Sequence, residues 1–374
     1  MSILFNIPKT RLFNLYKKKI ERYHIYLHNE EAPVLNWVNH PLESNKVLDR
    51  LKATNYKKFK YDTLVIVGSG GSINASKAVL SAIKSKKKIV FISNGYIKLD
   101  ETLNSLNGAT PLFHIMSQSG NTLDTILALK QIYTYLIKHK FKPQEHLFIS
   151  TSSMSGDLYK FAIANNLPYI ITPNCVGRYS ALSSHIINMI LAGLDYKSYI
   201  LGAKDAYFDS YKTIDNPCYR YAINRIYQQN IKNKSVEIIS TTNDKLDAFQ
   251  DWYCQLFAES EGKENKGALP IKIIYPEHLH SYEQFFQQGR QIFFETMLST
   301  ATEEALSSCV VQAHKKVKIS TSTINIDKLD EYTFGYLFYF FHKACAMNCM
   351  LLGVDPYTQP GVENYKKLIK SIVK

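Results

Sequence analysis

At 374 residues, with 45% hydrophobic residues and 13% aromatics, the chain has the composition of a packed globular protein with room for two core-bearing domains, which excludes a disordered or low-complexity chain. The formal net charge of +13 comes from lysines scattered among Asn, Ile and Tyr, the longest runs being YKKK and KKK, so it reads as a solvated surface that attracts small anions and not as a nucleic-acid footprint. The six cysteines (175, 218, 254, 309, 345 and 349) form no C-x-x-C pair and no histidine stands at zinc-finger spacing, so neither a disulfide framework nor a metal site is indicated and the thiols read as those of a reduced, cytoplasmic protein.

In chain order, residues 1–45 read as an N-terminal helical segment, because MSILFNIPKTRLFNLYKKKIERY has lysines inside its apolar pattern where a signal peptide has an uninterrupted core. The lack of acidic residues before Glu21 leaves an organelle presequence as the other reading. No apolar stretch approaches the length of a membrane span. From 46 to 200 the short apolar runs TLVIV, KIVFIS, LFHIMS, HLFIS and YIIT alternate with helical patterns, each run ending in a loop rich in Gly, Ser or Asn. Such βαβ alternation predicts a parallel sheet with helices on both faces and ligands beyond the carboxyl ends of the strands. The polar stretch GAKDAYFDSYKTIDNPCYR marks the crossing into a second unit, 201–374, with strands SVEIIS, IKIIY, RQIFF and KVKIS and closing helices at 329–352 and 361–373.

Two loops of the first unit stand out. VGSGGSINASKAV fails the dinucleotide fingerprint, since the third glycine falls on Ile73 and the second strand ends in Ser93 where an acid is needed, and it fails Walker A for want of a Gly-Lys-Ser/Thr. What remains is a close-approach loop with Gly71 and Ser72 at a helix start, either a plain turn or an anion loop. IMSQSGNTLDT sets Ser117, Ser119 and Thr122 around the first turn of an amphipathic helix, where unpaired N–H groups and the helix dipole favour an anion. Together the two loops suit one phosphate group held without a metal.

In the helical stretch 245–260, Leu246, Phe249, Trp252, Tyr253, Leu256 and Phe257 form an apolar stripe, and Glu259 falls on that side in the final turn with Gln255 one turn earlier. Glu259 there is either a proton-transfer base or a surface residue of a fraying helix end. Arg178, opening a helix after YIIT, opposes the helix dipole, so it suits stabilisation of developing negative charge better than it suits stability. By themselves His280 reads as a structural or exposed histidine and Lys366 as solvated charge.

A loop of type S-x-S-G-x-T after a parallel strand resembles the sugar isomerase (SIS) domains, which hold phosphosugars by their phosphate. GRYSALS (177–183), FAESEGKENKG (257–267), LHSYEQFFQQG (279–289) and YTQPGVENYKKL (357–368), in that order, resemble the glucose-6-phosphate isomerase (phosphoglucose isomerase) family from about residue 63 to the C-terminus. The resemblance implies an α/β fold of two SIS-type α/β/α sandwich subdomains with mainly parallel, doubly wound sheets and helical N- and C-terminal extensions. It implies interconversion of glucose 6-phosphate and fructose 6-phosphate through a cis-enediol, in glycolysis and gluconeogenesis, with no cofactor. Carried over, Glu259 matches the base that moves the proton between C1 and C2, and Arg178 the cation beside the enediolate. His280 and Lys366 match the ring-opening pair, Gln255 and Gln359 the substrate-contacting glutamines, Ser117, Ser119 and Thr122 the phosphate loop, and Gly71 and Ser72 the first glycine-rich loop. In the family the histidine comes from the neighbouring subunit, which implies a homodimer.

Two positions depart from the family pattern. Gln118 stands where a lysine is common, and Gly177 alone precedes Arg178 where two glycines are usual. They leave room for a related isomerase with altered or dual specificity that also accepts mannose 6-phosphate. A non-catalytic phosphosugar-binding SIS protein is the remaining reading, and the joint presence of Glu259, Arg178, His280 and Lys366 argues against it.

Overall fold

The structure is a computed structural model and describes residues 3–28, 33–93, 99–362 and 368. Ten strands lie among them: β1 (Ile3–Asn6), β2 (Thr63–Val67), β3 (Lys88–Ile92), β4 (Pro111–Met116), β5 (Leu147–Thr151), β6 (Tyr169–Ile171), β7 (Val236–Thr241), β8 (Leu269–Ile274), β9 (Phe293–Thr300) and β10 (Thr321–Ile326). They form two five-stranded sheets, ordered β3-β2-β4-β5-β6 and β1-β10-β9-β7-β8, parallel throughout except where β1 pairs antiparallel with β10. The chain divides into two compact units: residues 30–205 with 330–338, here the first unit, and residues 1–29, 206–329 and 339–374, the second. None of the described helices is long and apolar enough to cross a membrane.

In the first unit the strand order reverses between β2 and β4, so the loops that follow these strands flank the switch point of a doubly wound sheet. Pleating sends alternate side chains to opposite faces. Val65, Val67, Phe113, Ile115 and Ile149 pack under the Leu123–Lys138 and Asp157–Ala164 helices in an apolar core. Ile66, His114, Met116 and Ser150 face the other way, where His114 and Met116 meet Asn188 of the His185–Leu191 helix. In the second unit the reversal falls between β7 and β9, and each face of the sheet carries one fully buried carboxylate, Glu237 on one and Glu295 on the other.

The five strands of the first unit, β2 to β6, match the apolar runs to within a residue or two. Residues 1–45 differ from a separate helical segment. β1 pairs Ile3 with Ile326 and joins the second unit's sheet, the helix Leu12–Leu27 follows, and the helix His40–Ala53 belongs to the first unit. A four-residue strand is too short to show periodicity. KVKIS is also displaced: the helix Glu304–Lys316 runs into it, Lys318 turns at φ 63°, and the strand begins at Thr321, hidden in the sequence by the hydroxyls of TSTINI. The helix Glu331–Leu352 agrees with the expected 329–352, while most of 361–373 lies outside the described residues.

Candidate active site

The two loops of the first unit come together as the strand order requires. After β4, Ser117 is buried, its Oγ lies 2.9 Å from Thr122 Oγ1, and it accepts the Gly120 N–H at 3.2 Å; Ser119 is exposed and accepts the Asn121 N–H at 3.2 Å. Gly120 sits at φ +69°, where an added Cβ would stand 2.9 Å from Thr151 Oγ1, so glycine is required on both conformational and steric grounds. Thr122 is the N-cap of the 16-residue helix Leu123–Lys138, but its hydroxyl turns to Ser117 and caps no helix N–H, leaving the first turn available to an anion. A narrow cleft of about 10 Å³ is lined by Ser72, Ser117, Gln118 and Ser184. Gln118 donates to Ser184 Oγ at 3.3 Å, and its buried Oε1 has no hydrogen-bond partner among the described residues.

After β2, Gly71 and Ser72 lie in the turn Gly70–Ser72, ahead of the helix Asn74–Ala82. Arg178 does not open an α-helix as its pattern suggests. It lies in a short turn, Gly177–Tyr179, where it is only 2% exposed, with its guanidinium 5.8 Å from the Tyr179 ring centre. The two turns touch at backbone level: a Cβ on Gly71 would stand 2.4 Å from Arg178 N and 2.5 Å from the Gly177 carbonyl carbon. Here the single Gly177 and Gly71 together supply the close approach.

In the second unit the helix Asp247–Glu261 follows β7 and runs back along the sheet, so its C-terminal end lies at the edge where the strands begin. Leu246, Phe249, Trp252, Tyr253, Leu256 and Phe257 are all buried, as the stripe predicts, whereas Glu259 lies at the margin of that stripe and is half-buried. Gln255 donates to one carboxylate oxygen of Glu259 at 3.0 Å, and Gln359 donates to the other. Residues from two motifs a hundred positions apart therefore converge on one carboxylate and fix its plane. Lys263 closes the helix end, donating to the Glu259 carbonyl at 2.9 Å and to the Ser260 carbonyl at 2.5 Å.

His280 ends the turn Glu277–His280 and is exposed, with no side-chain hydrogen bond among the described residues. Lys366 lies outside the described residues. The sequence reading passed over Glu261, which is fully buried, pairs with Arg225 and accepts from Asn348. Arg225 also pairs with Glu237, whose carboxylate accepts from Tyr221, Tyr253 and Thr296 at 2.7–2.8 Å. The charged end of the Asp247–Glu261 helix is thus locked to the sheet. The available signal was Arg225 itself, a charge four residues after Tyr221 on the apolar face of the helix Pro217–Ile226.

These features define a doubly wound α/β protein with hydroxyl-rich loops at the switch point of one unit's sheet and an amide-fixed carboxylate in the other. The family described as Phosphoglucose isomerase matches residues 43–272. A glucose-6-phosphate isomerase of Aster yellows witches'-broom phytoplasma is 32% identical, covering 96% of this chain and 95% of that protein. Among solved structures, a hypothetical protein from Thermus thermophilus superposes with a TM-score of 0.89 at 19% identity over 99% of each chain. A glucose-6-phosphate isomerase from Chlamydia trachomatis superposes with a TM-score of 0.83 at 17% identity, covering 100% of this chain and 88% of the other, so both share the fold. The chain belongs to the phosphoglucose isomerase family.

Proposed function

We propose that this chain is an aldose–ketose isomerase that interconverts glucose 6-phosphate and fructose 6-phosphate, with Glu259 as the proton shuttle. The loops at Gly71, Ser72, Ser117, Ser119 and Thr122 hold the phosphate. His280 and Lys366 assist opening of the sugar ring. The Glu259 carboxylate then takes the proton from C2 of the open-chain aldose, leaving an enediolate at the C1 oxygen; the proton of the C2 hydroxyl passes to that oxygen through the cis-enediol, and Glu259 returns its proton to C1 as the C2 oxygen becomes the ketone. Arg178, a permanent cation, lowers the energy of the enediolate as charge develops. Membership of the phosphoglucose isomerase family supports the reaction. The observation that carries the role of Glu259 is the pair of glutamine amides on its two oxygens.

Exposure of His280 supports the family arrangement in which this side chain serves the neighbouring subunit of a cytoplasmic homodimer. Gln118 supports a second reading of specificity: its unpartnered buried carbonyl oxygen is an acceptor for a sugar hydroxyl, in a loop where the family commonly has a cation. A coupled assay with fructose 6-phosphate and mannose 6-phosphate, run beside the isosteric Glu259→Gln, tests both. We expect kcat of the variant to fall by roughly 10²–10⁴-fold at unchanged circular dichroism. No turnover by folded wild type would defeat the isomerase reading, and undiminished turnover by the variant would remove Glu259 from its role.

A further inference from the structure

Beneath the anion loops of the first unit runs an unbroken file of buried polar side chains. Ser150 Oγ lies 2.5 Å from His114 Nε2, His114 Nδ1 lies 2.5 Å from Asn188 Oδ1, and Asn188 Nδ2 lies 2.7 Å from Ser76 Oγ. Ser76 Oγ lies 2.7 Å from His185 Nδ1, and His185 Nε2 ends the file 3.1 Å from both the Gly71 carbonyl oxygen and Ser180 Oγ. None of these five side chains before Gly71 and Ser180 belongs to a residue more than 2% exposed.

The direction of each bond follows from donor and acceptor chemistry. The Ser76 backbone N–H, 3.1 Å from His185 Nδ1, can only donate, so Nδ1 is an acceptor. Burial keeps His185 neutral, with a pKa lowered to about 4 against the opposing pull of its bond to Gly71, and its one proton is therefore on Nε2. That N–H donates to the Gly71 carbonyl and to Ser180 Oγ, whose own hydroxyl donates to the Gly177 carbonyl at 2.6 Å. Upstream, the same logic runs one way: Ser150 hydroxyl to His114 Nε2, His114 Nδ1–H to Asn188 Oδ1, the Asn188 amide to Ser76, and the Ser76 hydroxyl to His185. Every donor is used in sequence, which makes the file rigid.

Its end is placed at a particular junction. Gly71 is the point where the turn Gly70–Ser72 meets the Arg178 turn at backbone contact, and Ser180 is two residues beyond Arg178. One imidazole N–H thus holds both sides of the contact that sets Arg178.

We propose that His185 is a positioning residue for the isomerisation, its Nε2–H locking the Arg178 turn onto the glycine loop so that the guanidinium meets developing negative charge. The inference rests on the isomerase reading for the role of Arg178. Kinetics of His185→Asn and His185→Gln, each alone and combined with Arg178→Lys, test it. Glutamine places an amide nitrogen where Nε2 stands; asparagine reaches only the Nδ1 position. We expect His185→Asn to lower kcat by roughly 10–100-fold with KM within about threefold, and His185→Gln to recover kcat to within about threefold of wild type. In the Arg178→Lys background His185→Asn should lower kcat by no more than about threefold, because the group it positions is already lost. Equal losses for Asn and Gln, the same loss in both backgrounds, or wild-type kcat for His185→Asn would each overturn the proposal. If His185→Asn lacks the wild-type circular dichroism, Ser180→Ala carries the same cycle, with a loss of several-fold expected only beside an intact Arg178 and an equal loss in both backgrounds counting against it. A wild type without turnover is the separate failure of the isomerase reading, and the inference falls with it.

Discussion

The two units are built on the same kind of sheet, and their candidate site residues stand at opposite ends of the strands of their own sheets. In the first, Gly71, Ser72, Ser117 and Thr122 stand where β2 and β4 end, beside helix N-termini. In the second, Glu259 stands at the end of a helix that has run back to the edge where the strands begin. In the isomerase mechanism proposed above, the difference follows from what each group must do. An anion is held where N–H groups and a positive dipole end gather, and in a parallel α/β sheet that is the carboxyl edge. A proton acceptor has no use for that environment; it needs a fixed carboxylate, which Gln255, Gln359 and the buried Glu261–Arg225 pair supply.

The supporting shells differ in the same sense. Hydroxyls, amides and neutral histidines underlie the loops after β2 and β4, whereas charges underlie the Asp247–Glu261 helix. His185 and His114, kept neutral chiefly by burial, both have pKa values lowered to about 4. His314 of the second unit goes the other way: burial opposes its charge, yet hydrogen bonds and the charges of Glu295 and Glu283 hold it above the usual histidine value.

Three experiments probe this contrast, the largest effect first. Arg225→Met leaves Glu237 and Glu261 buried without their cation and should cost about 3–5 kcal/mol in urea denaturation. A loss below about 1 kcal/mol would mean that charge does not hold this helix end. The second is acid. A histidine with a folded pKa near 4 and an unfolded one near 6.5 binds fewer protons folded than unfolded in that interval, so its contribution is present above 6.5 and is lost as pH falls to 4. The stability of His185→Gln should therefore fall less than that of wild type between pH 6.5 and 4, by on the order of 3 kcal/mol. His24, His28 and His40 share this sign, and His314 opposes it, its contribution being present below 6.5 and lost as pH rises through its raised pKa. Parallel pH curves for the variant and wild type would refute a neutral buried His185. Third, Ser117→Ala should raise KM by about tenfold with kcat nearly unchanged, because the phosphate is held alike in ground and transition states. A fall in kcat matching that of Glu259→Gln would erase the functional distinction between the two edges.

Local chemistry and periodicity were legible in the sequence. The apolar runs placed β2 to β8 closely, the small-residue loops marked the switch point, and the motif around Gln255 and Glu259 named the carboxylate and one of its amides. Helical spacing set Glu259 on the stripe side, yet Glu259 is half-buried at the stripe margin and Glu261, two residues on, is the wholly buried one. The difference depends on where Arg225 and Asn348 arrive from distant helices. The same holds for His185, whose partners at Ser76 and Gly71 are 109 and 114 residues away. Periodicity tells which face of an element turns inward, because that depends on residues a few positions apart. Which polar groups on that face find their donors and acceptors depends on the packing of separate elements, and so it was settled by the tertiary structure alone.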